Sequence, residues 1–217
     1  VQLSVDEAIR RLDRQFPIRR RRAVLPSPQR AAHRAIIDAL IREGKPLGHE
    51  QLARCLGQRD AAASIALLAT NDLIVLDDAG RRVVGAYPLT TESTPHQVTF
   101  NDHQLFAMCA LDALAVASLF QLPVTIRSRC HRSDTPIRIL QGHEGVREVA
   151  PQADVQVGIR WQVPQGPAAH SMCREMVFLR DVSTARQWQR QDPDAISLFH
   201  LDEGVRFAEG FFSALFA

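Results

Sequence analysis

"LFAMCALDALAVASLF" (residues 105–120) is almost wholly apolar, yet it holds one thiol, Cys109, and one carboxylate, Asp112. Read as a helix, the run puts these two groups on one face, about one turn apart. Only Ser118 keeps Asp112 polar company, so the helix offers no wet face on which an acid could hide. Burying an ionised carboxylate is costly, and the usual response is to pair it or keep it protonated. The longer run "FNDHQLFAMCALDALAVASLF" predicts that the helix begins early, with Asn101 as its N-cap and Gln104 in the capping-box partner position.

Outward from this helix the chain reads as α+β. On the N-terminal side, "SVDEAIRRLDRQF" (4–16) is a capped amphipathic helix, with Ser4 and Glu7 in capping-box spacing. Pro17, Pro26 and Pro28 punctuate a basic linker, so residues 1–26 form an N-terminal helix and linker. "QRAAHRAIIDALIREG", "GHEQLARCLG" and "RDAAASIALLATND" predict three helices, and "LIVLDDAGRRVVGAYPL" two strands with a turn at "DDAG". That order is the order of a winged helix, expected over residues 27–92. Cys55, among Leu52, Ala53 and Leu56, is expected to be a small core residue. On the C-terminal side, "PVTIRSRC", "PIRIL", "VQVGIRWQV" and "SMCREMVFL" predict strands. "TARQWQRQ" follows as a short helix, "AISLFHL" as a strand and "DEGVRFAEGFFSALF" as a closing helix. Strands without regular helical crossovers imply a mixed or antiparallel sheet with flanking helices over residues 97–217.

Composition is that of a globular protein: 217 residues, 46% hydrophobic, 23% charged, net charge +2. Residues 1–60 carry 13 Lys or Arg against 7 Asp or Glu, which leaves 13 against 17 in the rest. The excess peaks in Arg19–Arg22, expected to be a solvated or flexible arm. "RDAAASIALLATND", where a winged helix would place its recognition helix, has Arg59 as its one basic residue. Phosphate contacts need several, so nucleic acid is not the expected partner. "AVLPSPQR" after the arginines does not continue as an export signal, and the 105–120 run is shorter than the ~20 residues of a membrane span. Four separated cysteines, Cys55, Cys109, Cys130 and Cys173, read as free thiols of a soluble cytoplasmic protein, with no membrane partner.

Three of these thiols fall in the second half: Cys109 on the apolar helix, Cys130 at a strand end and Cys173 inside a strand. Asp112 could bond a core backbone group or pair with a buried arginine. It could also be a proton donor, its pKa raised by desolvation beside a nucleophilic thiol. His131 neighbours Cys130, and His170 lies three residues from Cys173; on an ideal strand each faces away from its cysteine. Structural zinc sites prefer close CxxC or HxxxH pairs, which are absent. Separated soft thiolates with an acid suit a thiophilic metal better than a hard one.

"LFAMCALDALAVASLFQLPVTIRSRC", followed by "HSMCREMVFL" and "TARQW", resembles the alkylmercury lyase (organomercurial lyase) family over about Asn101 to Trp188. The resemblance implies a helical, winged-helix-like part before a catalytic domain. It implies carbon–mercury bond cleavage with Cys109 and Cys173 as mercury-binding catalytic cysteines, Asp112 as the acid at the same metal and Cys130 as a structural thiol. Met108 stands where the family has an aromatic residue, and "RSDTP" lacks the family's turn glycine. On this reading no cofactor is needed; mercury is substrate and product, and cellular thiols or a mercuric reductase accept it. The alternatives are a winged-helix regulator sensing metals or electrophiles through its thiols, or an enzyme of the same fold with another substrate.

Overall fold

The computed structural model describes residues 2–56, 61–151 and 154–216. Arg59, on which the sparse charge of the fourth expected helix rested, lies outside them. The first helix, α1 (Val5–Gln15), has the expected box: the Ser4 amide donates to Glu7 Oε2 at 2.9 Å and the Glu7 amide to Ser4 Oγ at 3.4 Å. The basic stretch that follows is ordered, unlike the expected arm. Arg19–Arg22 lie in a short helix, α2 (Ile18–Ala23), where Arg19 pairs with Asp13 at 3.1 Å and stacks over Phe211. The acid in the last turn of α1 and the Phe211 ring supply partners that a flexible arm would lack. Pro28 sits in the first turn of α3 (Ser27–Glu43), where a missing N–H costs nothing, and α3 ends on left-handed Gly44.

Helices α4 (His49–Cys55) and α5 (Ala61–Thr70) follow, then strands β1 (Ile74–Leu76) and β2 (Val83–Ala86), hairpin-paired around Asp77–Gly80. The Asp77 carboxylate accepts the Arg81 and Arg82 amides and closes that turn. β2 continues through β3 (Leu89–Thr90) into an eight-stranded antiparallel sheet, so the hairpin is bonded to the rest of the molecule. The sheet also contains β4 (His96–Phe100), β5 (His103–Ala107), β6 (Val124–Arg129), β7 (Pro136–Gly142) and β8 (Gly145–Ala150), in the order β1-β2-β3-β5-β4-β6-β7-β8. A second antiparallel sheet, β10-β9-β11, is formed by β9 (Gln156–Arg160), β10 (Met176–Leu179) and β11 (Ile196–His200). Among the described residues every strand pair is antiparallel, as the α+β reading expected.

The early helix start at Asn101 is corrected. "HQVTF" and "HQLFA" are β4 and β5, and Asn101 and Asp102 are their two-residue turn, with φ of 44° and 62°. A tight hairpin needs two residues that tolerate positive φ, and Asn and Asp do. Asn is also a good N-cap, so one residue type serves both readings, and the alternating burial of β4 decides for the hairpin. The central helix, α6 (Ala110–Phe120), therefore starts later, with its N-cap at Cys109 and not at Asn101. Its first eight residues are all buried: it touches β4 to β7 of the large sheet, β10 of the small one, and α8 (Leu201–Phe216). Gly204 of α8 makes that approach close, since a Cβ there would lie 2.6 Å from Val157 Cγ2 and 3.2 Å from Leu114 Cδ1. Among the described residues no helix is long and apolar enough to cross a membrane.

The small sheet is closed over by α7 (Val182–Gln189), whose Trp188 is 1% exposed. Trp188 lies on Gly158 of the middle strand: a Cβ at that position would sit 2.5 Å from the indole and 2.8 Å from Leu179 Cδ1. Neither neighbour has free space to retreat into, so Gly158→Ala should destabilise the fold by about 1–3 kcal/mol. A urea titration should show a lowered midpoint with an unchanged slope; an unchanged midpoint would mean that the indole moves freely.

Candidate active site

Cys109 is the N-cap of α6, with extended φ and ψ of −154° and 179°. Its sulfur takes the place of the usual capping oxygen and accepts the Asp112 amide at 3.4 Å. Asp112 is thus the third residue of the helix and not a mid-helix acid. The one-turn spacing survives, but its cause is the cap, which locks thiol and carboxyl together at the start of a rigid element. Asp112 is 1% exposed and Cys109 2%. Of its two carboxyl oxygens, Oδ1 of Asp112 is buried with no hydrogen-bond partner among the described residues.

Cys173 is not inside a strand. It lies in a 3-10 turn (Met172–Glu175) just before β10, and that turn brings it to the α6 N-terminus. The Cys109 and Cys173 sulfurs and an Asp112 carboxylate oxygen all lie within 4.8 Å of one another, and all three residues are buried. The Met176 thioether adds a fourth soft atom, 3.8 Å from the Cys109 sulfur.

Dryness sets the protonation of this trio. Burial, and then the neighbouring Cys109, raise the Asp112 pKa well above the ordinary 3.8. Burial, and then Cys173, push the Cys109 thiol well above its usual range. At Cys173 the hydrogen bond with Cys109 is the largest influence and favours the thiolate. Burial and the Asp112 and Asp72 carboxylates outweigh it, so this thiol is raised too. Burial thus favours the protonated form of all three groups.

The other candidates fall outside the trio. Cys130 follows β6 at the strand end, as expected, and its sulfur accepts the Arg180 amide at 3.4 Å. Burial pushes this thiol up, but hydrogen bonds from Ser133, Arg180 and Arg132 prevail and lower its pKa. Cys55 is exposed, contrary to the core expectation, because α4 turns its Leu52 face inward instead. His131 packs edge-on against Trp188 and His170 faces Glu92 at 3.5 Å, so neither pairs with a cysteine of the trio. A cleft of about 1230 Å³ leads from solvent to Cys173, with Met108, His96, Val177, His170 and Arg174 on its walls. His96 is buried and donates to or accepts from Ser128 Oγ at 2.9 Å; burial lowers its pKa to about 4, which keeps it neutral.

Comparison with known proteins places the chain in a family. The family model for alkylmercury lyase (MerB) matches residues 89–213. The chain belongs to the alkylmercury lyase family. It is 29% identical over 161 residues to an alkylmercury lyase of Streptomyces lividans, covering 73% of this chain and 72% of that one. It is 31% identical over 156 residues to one of Staphylococcus epidermidis, covering 72% and 70%. The fold is shared with the mercury-bound form of MerB2, with a TM-score of 0.76 at 20% identity, over 92% of this chain and 98% of that structure.

Two residues beside the trio escaped the sequence reading. Tyr87 touches the Cys173 region through its hydroxyl and Asp72 binds that hydroxyl. The one available signal was that Tyr87 is the only tyrosine in the chain.

The raised pKa of Asp112 has a measurable consequence. Its folded pKa lies above its unfolded one, so the folded chain holds the proton more tightly. The stability this contributes is complete below about pH 3.8 and is lost as pH rises towards the folded pKa. Asn cannot ionise, so Asp112→Asn should gain stability relative to the native chain as pH rises from about 4 to 8, with the two converging at acid pH. Denaturation midpoints at several pH values check this; a gap that widens towards acid would show an ionised, stabilising carboxylate instead.

Proposed function

We propose that Cys109, Cys173 and Asp112 together perform the carbon–mercury cleavage of this alkylmercury lyase, releasing hydrocarbon and Hg(II) from an organomercurial. The observation that carries the assignment is the joint burial of two thiols and an unpartnered carboxyl oxygen within 4.8 Å.

Carbon bound to mercury resists water because the bond is nearly non-polar and mercury prefers sulfur to oxygen. An organomercurial arriving as a thiol adduct first exchanges onto the Cys109 sulfur; the Cys109 proton leaves with the displaced thiol. The Cys173 sulfur then adds to mercury. Two soft donors push electron density to carbon, and the carbon–mercury bonding pair becomes basic enough to take a proton. Asp112 delivers that proton, and its carboxylate recovers one from the Cys173 thiol. Two enzyme S–H protons are thus consumed, one by the displaced thiol and one by the hydrocarbon, and Asp112 ends as it began. Exposed to water, the same acid would ionise and have nothing to give.

The reaction is redox-neutral, so it calls for no redox cofactor. Turnover needs acceptors for Hg(II), for which cellular thiols or a mercuric reductase are the fitting partners, in the cytoplasm. Met108 on the cleft wall is placed to contact the organic group, where a flexible thioether side chain adapts to varied shapes.

Phenylmercury with excess thiol should yield benzene, measured by gas chromatography. Cys109→Ser should fold normally, because serine is a good N-cap, yet release no hydrocarbon; Cys173→Ser should also be inactive. Asp112→Asn should take up phenylmercury but slow single-turnover benzene release at least about 100-fold. Native-rate release by the Asn variant would remove Asp112 from the mechanism, and full activity of Cys173→Ser would end the two-thiol scheme.

A further inference from the structure

The two thiols are held very differently. Cys109 begins a helix packed on every side, whereas Cys173 rides on the irregular segment between β9 and β10. Two short 3-10 turns, Ala168–His170 and Met172–Glu175, interrupt that segment, and no strand pairing sets its position. Backbone amides in such a segment need side-chain partners if they are buried.

Those partners come from the other half of the chain. Asp72, in the turn after α5, is a buried carboxylate with φ of 55°, and its Oδ2 accepts the Ala168 amide at 2.9 Å. Tyr87, between β2 and β3, is fully buried; its hydroxyl accepts the Ala169 amide at 2.8 Å and donates to Asp72 Oδ1 at 3.3 Å. Two consecutive amides of the first 3-10 turn are therefore pinned by one joined carboxylate–phenol unit, four to five residues before Cys173. Edge-on contact with Phe16, 5.2 Å between centroids, fixes the phenol ring, and Arg21 of α2 lies 4.0 Å from Asp72 Oδ2.

We propose that Asp72 and Tyr87 are positioning residues that hold Cys173 within 4.8 Å of the Cys109–Asp112 cap, so that the second sulfur reaches a metal already captured by the first. Both precede residue 89, where the family match begins. The proposal rests on Cys173 being the second mercury ligand. It assigns the N-terminal part a role in the site itself: the α5–β1 turn and the β2–β3 turn form the wall against which the Cys173 segment is seated. Side chains of this kind, one step removed from a metal's own ligands, typically carry 10- to 100-fold effects on affinity or activity.

The test uses the full chain with Tyr87→Phe, which deletes one oxygen and keeps the ring, together with Asp72→Asn and Asp72→Ala. Three quantities are read: phenylmercury uptake, single-turnover benzene release per folded molecule, and the number of sulfur atoms around bound Hg(II) by X-ray absorption. In Tyr87→Phe, uptake through Cys109 should be unchanged, benzene release should fall about 10- to 100-fold, and the sulfur number should drop from two towards one. Asp72→Asn keeps an oxygen for the Ala168 amide, so it should lose less than Asp72→Ala. A purely structural role would lower the melting temperature while leaving the sulfur number and the rate per folded molecule unchanged, and that result overturns the proposal. If Tyr87→Phe does not fold, the Asp72 pair decides: equal losses in Asn and Ala, or none in either, count against it. If the native chain binds Hg(II) through two sulfurs but releases no benzene, the lyase assignment fails, and the sulfur number in the variants still judges the positioning role.

Discussion

The first turn of α6 is enclosed on every side, and the chemistry of the molecule follows from that enclosure. A helix N-terminus normally favours negative charge, and here a sulfur caps it while a carboxyl stands in its first turn. Water is excluded so fully that desolvation outweighs the helix end, and the pKa of both groups is raised. The enclosing layers are the architecture: the eight-stranded sheet, the small sheet carrying β10, and α8, which comes close through Gly204. Loosening any of them would wet the cap and ionise the acid. Burial that would be a defect elsewhere is here what stores the proton.

What the sequence revealed divides by range. The Cys109–Asp112 spacing was legible because it is local: thiol and carboxyl one turn apart at a helix start meet whatever surrounds them. The terminal helices, the Asp77–Gly80 hairpin and β11 were legible for the same reason, through caps, turn residues and period. The start of α6 was misread because Asn101 suits both an N-cap and a tight turn. The arbiter was the pairing of "HQVTF" with "HQLFA", whose register a propensity argument does not reach. Strand β8 went unread because "GVREVA", partly or fully exposed throughout, lacks a clear apolar alternation. The place of Cys173 was illegible in a stronger sense. Its segment obeys no periodic rule, and the groups that seat it, Asp72 and Tyr87, are about 80 to 100 residues away.

Raised thiol pKa values raise a question of reactivity, since the thiolate is the usual nucleophile. A pair of buried neutral thiols reacts slowly with ordinary electrophiles and oxidants, whose attack needs the free thiolate. A mercury–thiol adduct differs because it brings its own base: the displaced thiolate takes the proton that the protein sulfur gives up. Exchange therefore needs no charged intermediate in the dry site, and the cost of burying a thiolate is never met in full. Once mercury bridges both sulfurs, its charge replaces two protons and the pair becomes a neutral dithiolate complex. The low dielectric that suppresses the free thiolates thus favours the metal-bound pair. The cleft supplies the remaining discrimination, because only a substrate that reaches past Met108 to the α6 cap meets both sulfurs and the acid together. Selectivity for a soft metal then comes from three groups that are individually inert and jointly reactive only around an atom that binds sulfur without needing it ionised beforehand.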